Sequence, residues 1–224
     1  MSRHFQRELA RLKDRLLLDA GRVENQLRKA VQAVQNLDGD LAREVIADDA
    51  AVDAAEVELE EECLKIVALY QPVARDLRLV VAVLKINNDL ERIGDLAVNI
   101  AERAEYLSSR APIWVDFDLE GMASMVISMV RESLDALVNL DPEVARSVCA
   151  RDETIDNRNR EVFHLIVEMA KQHPDQVDRL IPYMMVARHL ERVADHATNI
   201  AEDVLYMIEG EIVRHRPDVW QEVY

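Results

Sequence analysis

Apolar positions recur along most of the chain at the spacing of one face of an α-helix. Breaks in this spacing coincide with residues that begin or end helices, because aspartate caps a helix start and proline interrupts or opens a helix. These breaks are Asp38-Gly39-Asp40, Gln71-Pro72, Asp141-Pro142 and His173-Pro174. One run with the helical spacing is Leu79, Val83, Ile86, Leu90, Ile93, Ala97 and Ile100. The pattern predicts helices over residues 4–37, 40–69, 73–107, 117–140, 142–171 and 175–209.

The second half of the chain repeats the first. The segment LERIGDLAVNIAE at 90–102 returns 100 positions later as LERVADHATNIAE at 190–202. A weaker match relates 37–53 to 140–156 at an offset of 103. Each copy contains three of the predicted helices, and short turns between long helices favour antiparallel bundles.

The sequence therefore predicts an all-α protein made of two tandem three-helix bundles related by internal duplication. The predicted units are residues 1–107 and 117–209, followed by a C-terminal tail over 210–224. The stretch from Ser108 to Phe117, which contains Pro112, is the predicted linker.

Composition supports the helical prediction and limits the choice of partners. Half of the residues are apolar, and there are only five glycines and three phenylalanines. The formal charge of −16 repels nucleic acid and anionic lipid surfaces. The longest apolar run, Leu79–Leu84, is far shorter than the roughly 20 residues of a spanning helix. Since the N-terminus also lacks the apolar stretch of a secretory signal, we expect a soluble cytoplasmic protein.

Carboxylates on the second and third helices of each copy form the strongest candidate site. Glu91 and Asp95 are four residues apart on one helix face, as are Asp49 and Asp53 on the preceding helix. Like charges at this spacing destabilise a helix by roughly 0.2–0.5 kcal/mol unless a cation lies between them. Helical phase places these acids on the outer face of their bundle, opposite the apolar stripe.

The second copy carries the same residue types at the equivalent positions. Two quartets of oxygen ligands for hard cations such as Mg²⁺, Mn²⁺, Ca²⁺ or Fe³⁺ are therefore predicted. The first comprises Asp49, Asp53, Glu91 and Asp95, and the second Asp152, Asp156, Glu191 and Asp195. Asn99 and Asn199, one turn further along, are candidate additional ligands.

A solvated surface is the competing interpretation, because outward acids on helices ordinarily contact only water. The repetition of the acids in both copies favours the metal site. Glu161 and His164 have the E-x-x-H spacing of di-iron bundles, but this motif occurs once. His196, next to Asp195, points about 100° away and flanks the site at most. A carboxylate-bridged metal oxidase and a metal-free helical scaffold remain as alternatives.

The first halves of the third helices are apolar on both sides. Two interpretations follow: packing of one bundle on the other, which we favour, or a partner or dimer surface. The extra apolar residues are Leu77, Val81 and Leu84 in the first copy and Val177, Ile181 and Met184 in the second.

Three motifs resemble the PhoU family of phosphate-transport accessory proteins. They are QPVARDLR at 71–78, LERIGD at 90–95 and the segment from Arg188 to Glu202. The resemblance covers essentially the whole chain, including its duplication. It implies that the paired E/D-x-x-x-D motifs, all four of them intact, hold multinuclear clusters of iron, manganese, magnesium or zinc. The second copy departs from the first at two places: Ala194 corresponds to Gly94, and His173-Pro174 corresponds to Gln71-Pro72. Neither difference changes one of these acids.

The resemblance also implies a regulatory rather than an enzymatic role. PhoU-like proteins are negative regulators of the Pho regulon that link the ATPase of the Pst phosphate ABC transporter to a PhoR-type sensor kinase. The same resemblance implies a homodimer. It also implies a cytoplasmic protein that is held at the inner membrane through its contact with the transporter. An accessory of a low-affinity phosphate permease is the related alternative. Periodicity and spacing by themselves lead only to a duplicated metal-binding bundle.

Overall fold

The structure is a computed structural model that describes residues 3–210. This part of the chain contains six α-helices and no strand, so the predicted all-α class is confirmed. The tail beyond Gly210 lies outside the described residues. The helices are α1 Arg3–Asn36, α2 Gly39–Tyr70, α3 Ala74–Ser108, α4 Leu119–Asn139, α5 Pro142–Gln172 and α6 Val177–Glu209, with a short 3₁₀ turn at Pro174–Gln176.

The predicted helix starts are built by aspartate caps. Asp38 Oδ1 accepts hydrogen bonds from the backbone N–H groups of Asp40 and Leu41, both at 3.0 Å. At the start of α5, Asp141 Oδ1 accepts hydrogen bonds from the backbone N–H groups of Glu143 and Val144, and Pro142 occupies the first turn. These side chains satisfy N–H groups that have no partner within their own helix, which explains why both helices begin there.

Each repeat folds as a bundle, α1–α3 and α4–α6, and the two bundles share one continuous apolar core. The apolar stripe that the sequence predicts on α3, from Leu79 to Ile100, is buried throughout. Burying it supplies the main stabilisation of the bundle, at about 25 cal/mol per Å² of apolar surface.

The bundles meet mainly where α3 packs against α6, with a smaller contact between α1 and α4. The extra apolar residues Leu84 and Met184 pack against the shared core, as the interpretation of bundle packing predicts. Leu77 and Ile181, nearer the helix starts, are 39% and 42% exposed. None of the helices within residues 3–210 combines the length and the apolar character that a membrane span requires.

Candidate functional site

The first predicted quartet lies along the seam between α2 and α3. The pKa of Asp49 is raised, first by partial burial and then by repulsion from Asp53 and Asp95, against a hydrogen bond that lowers it. The pKa of Glu91 is raised by partial burial and by repulsion from Asp95, with Asp53 adding to the effect. Such mutual effects require short distances between charges. The four predicted acids therefore lie near enough on α2 and α3 to act on one another electrostatically.

Polar side chains already contact this quartet. Arg92 forms ion pairs with Glu91 at 3.3 Å and with Asp95 at 3.1 Å. Gln26 of α1 donates to Asp49 Oδ1 at 3.2 Å from a buried position. A Cβ on Gly94 would stand 3.3 Å from Gln26 Oε1, so this glycine makes room for the glutamine. Sequence reasoning missed Gln26, whose only signal is its position within the apolar stripe of α1.

The second quartet lies on α5 and α6 and is less compensated than the first. Partial burial, followed by repulsion from Asp152, Glu191 and Asp156, raises the pKa of Asp195 to about 6. The pKa of Asp152 is likewise raised by burial and by Asp156, although the Thr198 hydroxyl donates to its carboxylate at 3.4 Å. Within residues 3–210, no basic side chain forms an ion pair with any of these four acids.

The donor chemistry of both quartets suits a hard cation, but their side chains do not enclose one. Six of the eight acids are half-buried, and Asp53 and Asp195 are exposed at the rim. In the described part of the chain, no three His, Cys, Asp or Glu side chains converge closely enough to hold a metal ion. The carboxylates thus lie on neighbouring helices at repelling distances, and binding a cation requires some of them to turn inward.

The other predicted site residues have different partners. Asn99 donates to the backbone carbonyl of Asp95 at 2.7 Å, and Asn199 donates to Asp89 Oδ1 at 3.4 Å. His196 Nδ1 lies 2.8 Å from the same Asp89 oxygen, so this histidine joins α6 to α3. His164 is exposed on α5. Neither asparagine is bonded to a quartet carboxylate in the residues described.

A groove of about 850 Å³ lies between the two bundles along one side of the α3–α6 contact. Buried Asp89 stands in this groove with His196 and Asn199 as partners. Sequence comparison missed Asp89 because its equivalent in the second copy is His189, so the repeat carries no matching acid. Charged residues lining the groove include Glu56, Glu60, Lys85, Arg92, Arg192 and Glu202.

Comparison with known proteins agrees with the duplicated architecture. The model of the PhoU domain matches residues 20–104 and again 119–204. The phosphate-specific transport system accessory protein PhoU homolog of Pseudomonas putida is 37% identical over 216 residues, which are 96% of this chain and 84% of the relative. A homologue of the same description from Aquifex aeolicus is 37% identical over 94% of this chain and 95% of its own.

Solved structures give the same result. The crystal structure of PhoU from Pseudomonas aeruginosa superposes with a TM-score of 0.88 at 36% identity, covering 92% of this chain and 100% of its own. The phosphate transport system regulatory protein PhoU from Streptococcus pneumoniae gives 0.82 at 29% identity, covering 93% and 99%. The similarity therefore extends through both repeats.

Proposed function

Because this chain belongs to the PhoU family, we propose that it is the metal-binding regulatory adaptor of a phosphate transport system. Its relatives are named accessory and regulatory proteins rather than enzymes. The observation that carries the proposal is the pair of carboxylate quartets, one at the equivalent place in each bundle. A repeated cluster of acids that is only partly compensated by basic side chains is costly to a fold unless cations bind it.

The adaptor negatively regulates the Pho regulon by linking the ATPase of the Pst transporter to a PhoR-type sensor kinase. Two bundles that share one core suit this role, since both partners can contact the surface of a single folded body. The protein acts as a homodimer in the cytoplasm, peripheral at the inner membrane through the transporter. The strongly acidic surface, with a net charge of −16, favours basic faces on these partners.

The metal part of the proposal rests on helix pairing. Asp49 and Asp53 on α2 face Glu91 and Asp95 on α3, so turning these side chains toward one cation joins the two helices. A bound cation offsets the repulsion among the acids. Iron, manganese, magnesium and zinc all accept carboxylate oxygens, and bridging carboxylates allow more than one ion in each cluster.

The two quartets differ in the charge that already surrounds them. Arg92 neutralises part of the first quartet, whereas the second has no ion pair within residues 3–210. A cation therefore competes with a directly paired arginine at the first quartet, whereas at the second it meets only the longer-range charges of Arg188 and Arg192 on Glu191. We expect the second quartet, with Asp195 at its rim, to fill first as the metal concentration rises.

The metal test is elemental analysis of the purified full chain and of two variants, Asp95→Asn and Asp195→Asn. Each substitution should remove the metal of its own bundle while leaving the other bundle loaded. Glu153→Gln is the matched control, because Glu153 is exposed on α5 beside Asp152 and belongs to neither quartet. An unchanged metal content in the double variant Asp95→Asn/Asp195→Asn would contradict the metal proposal.

The adaptor role has a separate test. Affinity capture of the full chain from its own cells should recover the transporter ATPase and the sensor kinase, and deletion should derepress a Pho-regulated phosphatase in high phosphate. A quadruple variant without metal, with Asp53, Asp95, Asp156 and Asp195 all changed to Asn, should lose both partners. Normal capture of both by that variant would show that metal does not shape the binding surface.

A metal oxidase is the weaker candidate. Iron oxidases of this type use histidine beside the carboxylates. His164 is exposed on α5 and His196 is bonded to Asp89, so neither histidine is bonded to a quartet acid within residues 3–210. Oxygen consumption by iron-loaded protein is the experiment that would revive this candidate.

A further inference from the structure

The internal duplication relates the two ends of the α3–α6 contact to each other. Lys85 of α3 lies 3.0 Å from Asp203 of α6, and at the other end Arg103 Nη1 lies 3.7 Å from the sulfur of Met185. These four residues are equivalent pairs at the repeat offset of 100. The two helices are therefore antiparallel and related by a pseudo-twofold rotation, so each end of the contact can be compared residue by residue with the other.

Equivalent positions at the two ends of the α3–α6 contact carry side chains of different charge. At the first end, the buried acids Asp89 and Asp203 accept hydrogen bonds across the interface. At the second end, their equivalents are His189 and Arg103. Two buried acceptors are thus replaced by an imidazole and a guanidinium, while Lys85 is replaced by the neutral Met185.

The second end also has a deficit of hydrogen bonds. Buried polar atoms in folded proteins nearly always have a partner. Both ring nitrogens of His189 and Nε of Arg103 are buried and have no hydrogen-bond partner among residues 3–210. Nε of Arg103 is a donor, and a neutral imidazole donates from one ring nitrogen and accepts at the other, so this place holds two donors that residues 3–210 do not satisfy.

Three arginines surround this histidine. Its pKa is lowered to about 4, first by burial and then by the positive charges of Arg103, Arg192 and Arg188, with Glu102 opposing them. We call Arg103, Arg188, His189 and Arg192 the arginine end. Glu102 is the acid in direct contact here, accepting from Arg103 Nη2 at 2.7 Å.

Two of these arginines are exposed and available. Arg188 and Arg192 form no ion pair within residues 3–210. In the first repeat, by contrast, the equivalent Arg92 is engaged by Glu91 and Asp95. Arg192 also lines the groove beside Asp89, and its charge acts on Glu191 together with that of Arg188. Neither arginine forms an ion pair with Glu191 within residues 3–210, so both guanidiniums can still bind another anion.

We propose that the arginine end binds a tetrahedral oxyanion, with Arg188 and Arg192 holding its oxygens from the surface and Arg103 and His189 donating from below. Guanidinium groups form short, charge-assisted hydrogen bonds to such anions. Three guanidiniums and an imidazole offer more donors than the two oxygens of a carboxylate accept, which favours an anion with four oxygens. This site goes beyond the proposed function and does not depend on metal in either quartet.

The test is calorimetric titration of the full chain with inorganic phosphate in the presence of a chelator, with sulfate as a second oxyanion. We expect saturable binding of phosphate at one site per chain. The double variant Arg188→Gln/Arg192→Gln should bind roughly tenfold or more weakly, because it loses both surface guanidiniums. Arg28→Gln is the control, since Arg28 is an exposed helix arginine on α1 and should keep the affinity unchanged.

A second variant examines the buried part of the site. His189→Asp copies Asp89 of the other end and gives Arg103 an internal carboxylate, so it should abolish phosphate binding while circular dichroism reports an intact fold. If this variant fails to fold, the surface double variant still decides the question, because neither of its side chains belongs to the core.

Three results would overturn the site. One is the absence of saturable binding for both phosphate and sulfate. Another is an equal loss of affinity in Arg28→Gln, which would mean unspecific attraction to positive charge. The third is binding that keeps its full affinity in the Arg188→Gln/Arg192→Gln variant, which would place the anion elsewhere on the protein.

Discussion

Asp95 and Asp195 are equivalent residues that meet different neighbours. Asp95 pairs with Arg92 at 3.1 Å, whereas Asp195 has no ion pair within residues 3–210 and its pKa is raised to about 6. The cause of the raised value is partial desolvation, followed by repulsion from Asp152, Glu191 and Asp156. The same residue type therefore carries a different electrostatic cost in each repeat.

This difference predicts the effect of Asp195→Asn on the metal-free protein. A carboxyl group whose pKa is higher in the folded than in the unfolded state stabilises the fold less as pH rises through its folded pKa. At pH 7 in chelator, the asparagine should therefore raise the free energy of unfolding, by roughly 0.5–1 kcal/mol because Asp195 is exposed and solvent screens its charge. Urea denaturation at pH 7 and at pH 4 measures the change, which should largely vanish at the lower pH.

Asp95→Asn is the matched comparison. It should gain less at pH 7, since it also loses the ion pair with Arg92. With saturating Mn²⁺ both variants should become less stable than the wild type, because each variant then lacks the binding energy of its own quartet. A metal-free Asp195→Asn protein that is less stable than the wild type at pH 7 would contradict the electrostatic argument.

At the scale of the helices, the caps set where each element begins. Asp38 and Asp141 hold the first turns of α2 and α5, which are the helices that supply half of each quartet. A fixed helix start fixes the height of Asp49 and Asp152 against the neighbouring helix. The caps therefore position the acids as well as stabilise the fold.

Removing one cap should have a measurable cost. Asp141→Ala leaves the N–H groups of Glu143 and Val144 without their acceptor and should destabilise the protein by about 1 kcal/mol. Glu153→Ala on the exposed face of the same helix is the control and should stay within about 0.5 kcal/mol of the wild type. Chemical denaturation of both variants gives the comparison, and equal losses would show that the cap contributes nothing specific.

At the scale of the whole molecule, the contact between α3 and α6 makes one body of two bundles. Its polar contacts differ at the two ends, although the helices that make them are copies of each other. Lys85 faces Asp203, which is only 2% exposed, and Arg103 faces Met185. The duplicated fold thus supports two different interface chemistries.

Substitutions that place the residues of the second end at the first end test whether the two interface chemistries are interchangeable. Lys85→Met removes the cation that pairs with buried Asp203 and should destabilise the protein by about 1–3 kcal/mol, less than for a fully buried pair because Lys85 is itself 40% exposed. The double variant Lys85→Met/Asp203→Arg reproduces the pair at the opposite end and should recover most of that loss. Thermal or urea unfolding of the four proteins in this cycle gives the coupling. Additive effects would show that the two residues act independently.

The sequence by itself determined the helices, their caps and the duplication, and it predicted the eight acids of the quartets. Each of these depends on local spacing: aspartate caps act on backbone three residues away, residues four apart share a helix face, and the repeat is visible as identity at a constant offset. It also predicted that the acids of neighbouring helices lie near one another, because short turns force those helices to be antiparallel. The raised pKa values of Asp49, Glu91, Asp152 and Asp195 agree with that pairing.

Only the tertiary structure decided which side chains meet across helices that are distant in sequence. Gln26 reaches Asp49, His196 reaches Asp89, and Arg103 lies near His189 because of the register and the crossing of α1, α3 and α6. Helical spacing tells which face a residue occupies but not which residue of another helix stands opposite it. That choice depends on how the apolar faces of the two bundles pack, and it gave the two copies of one sequence motif different partners.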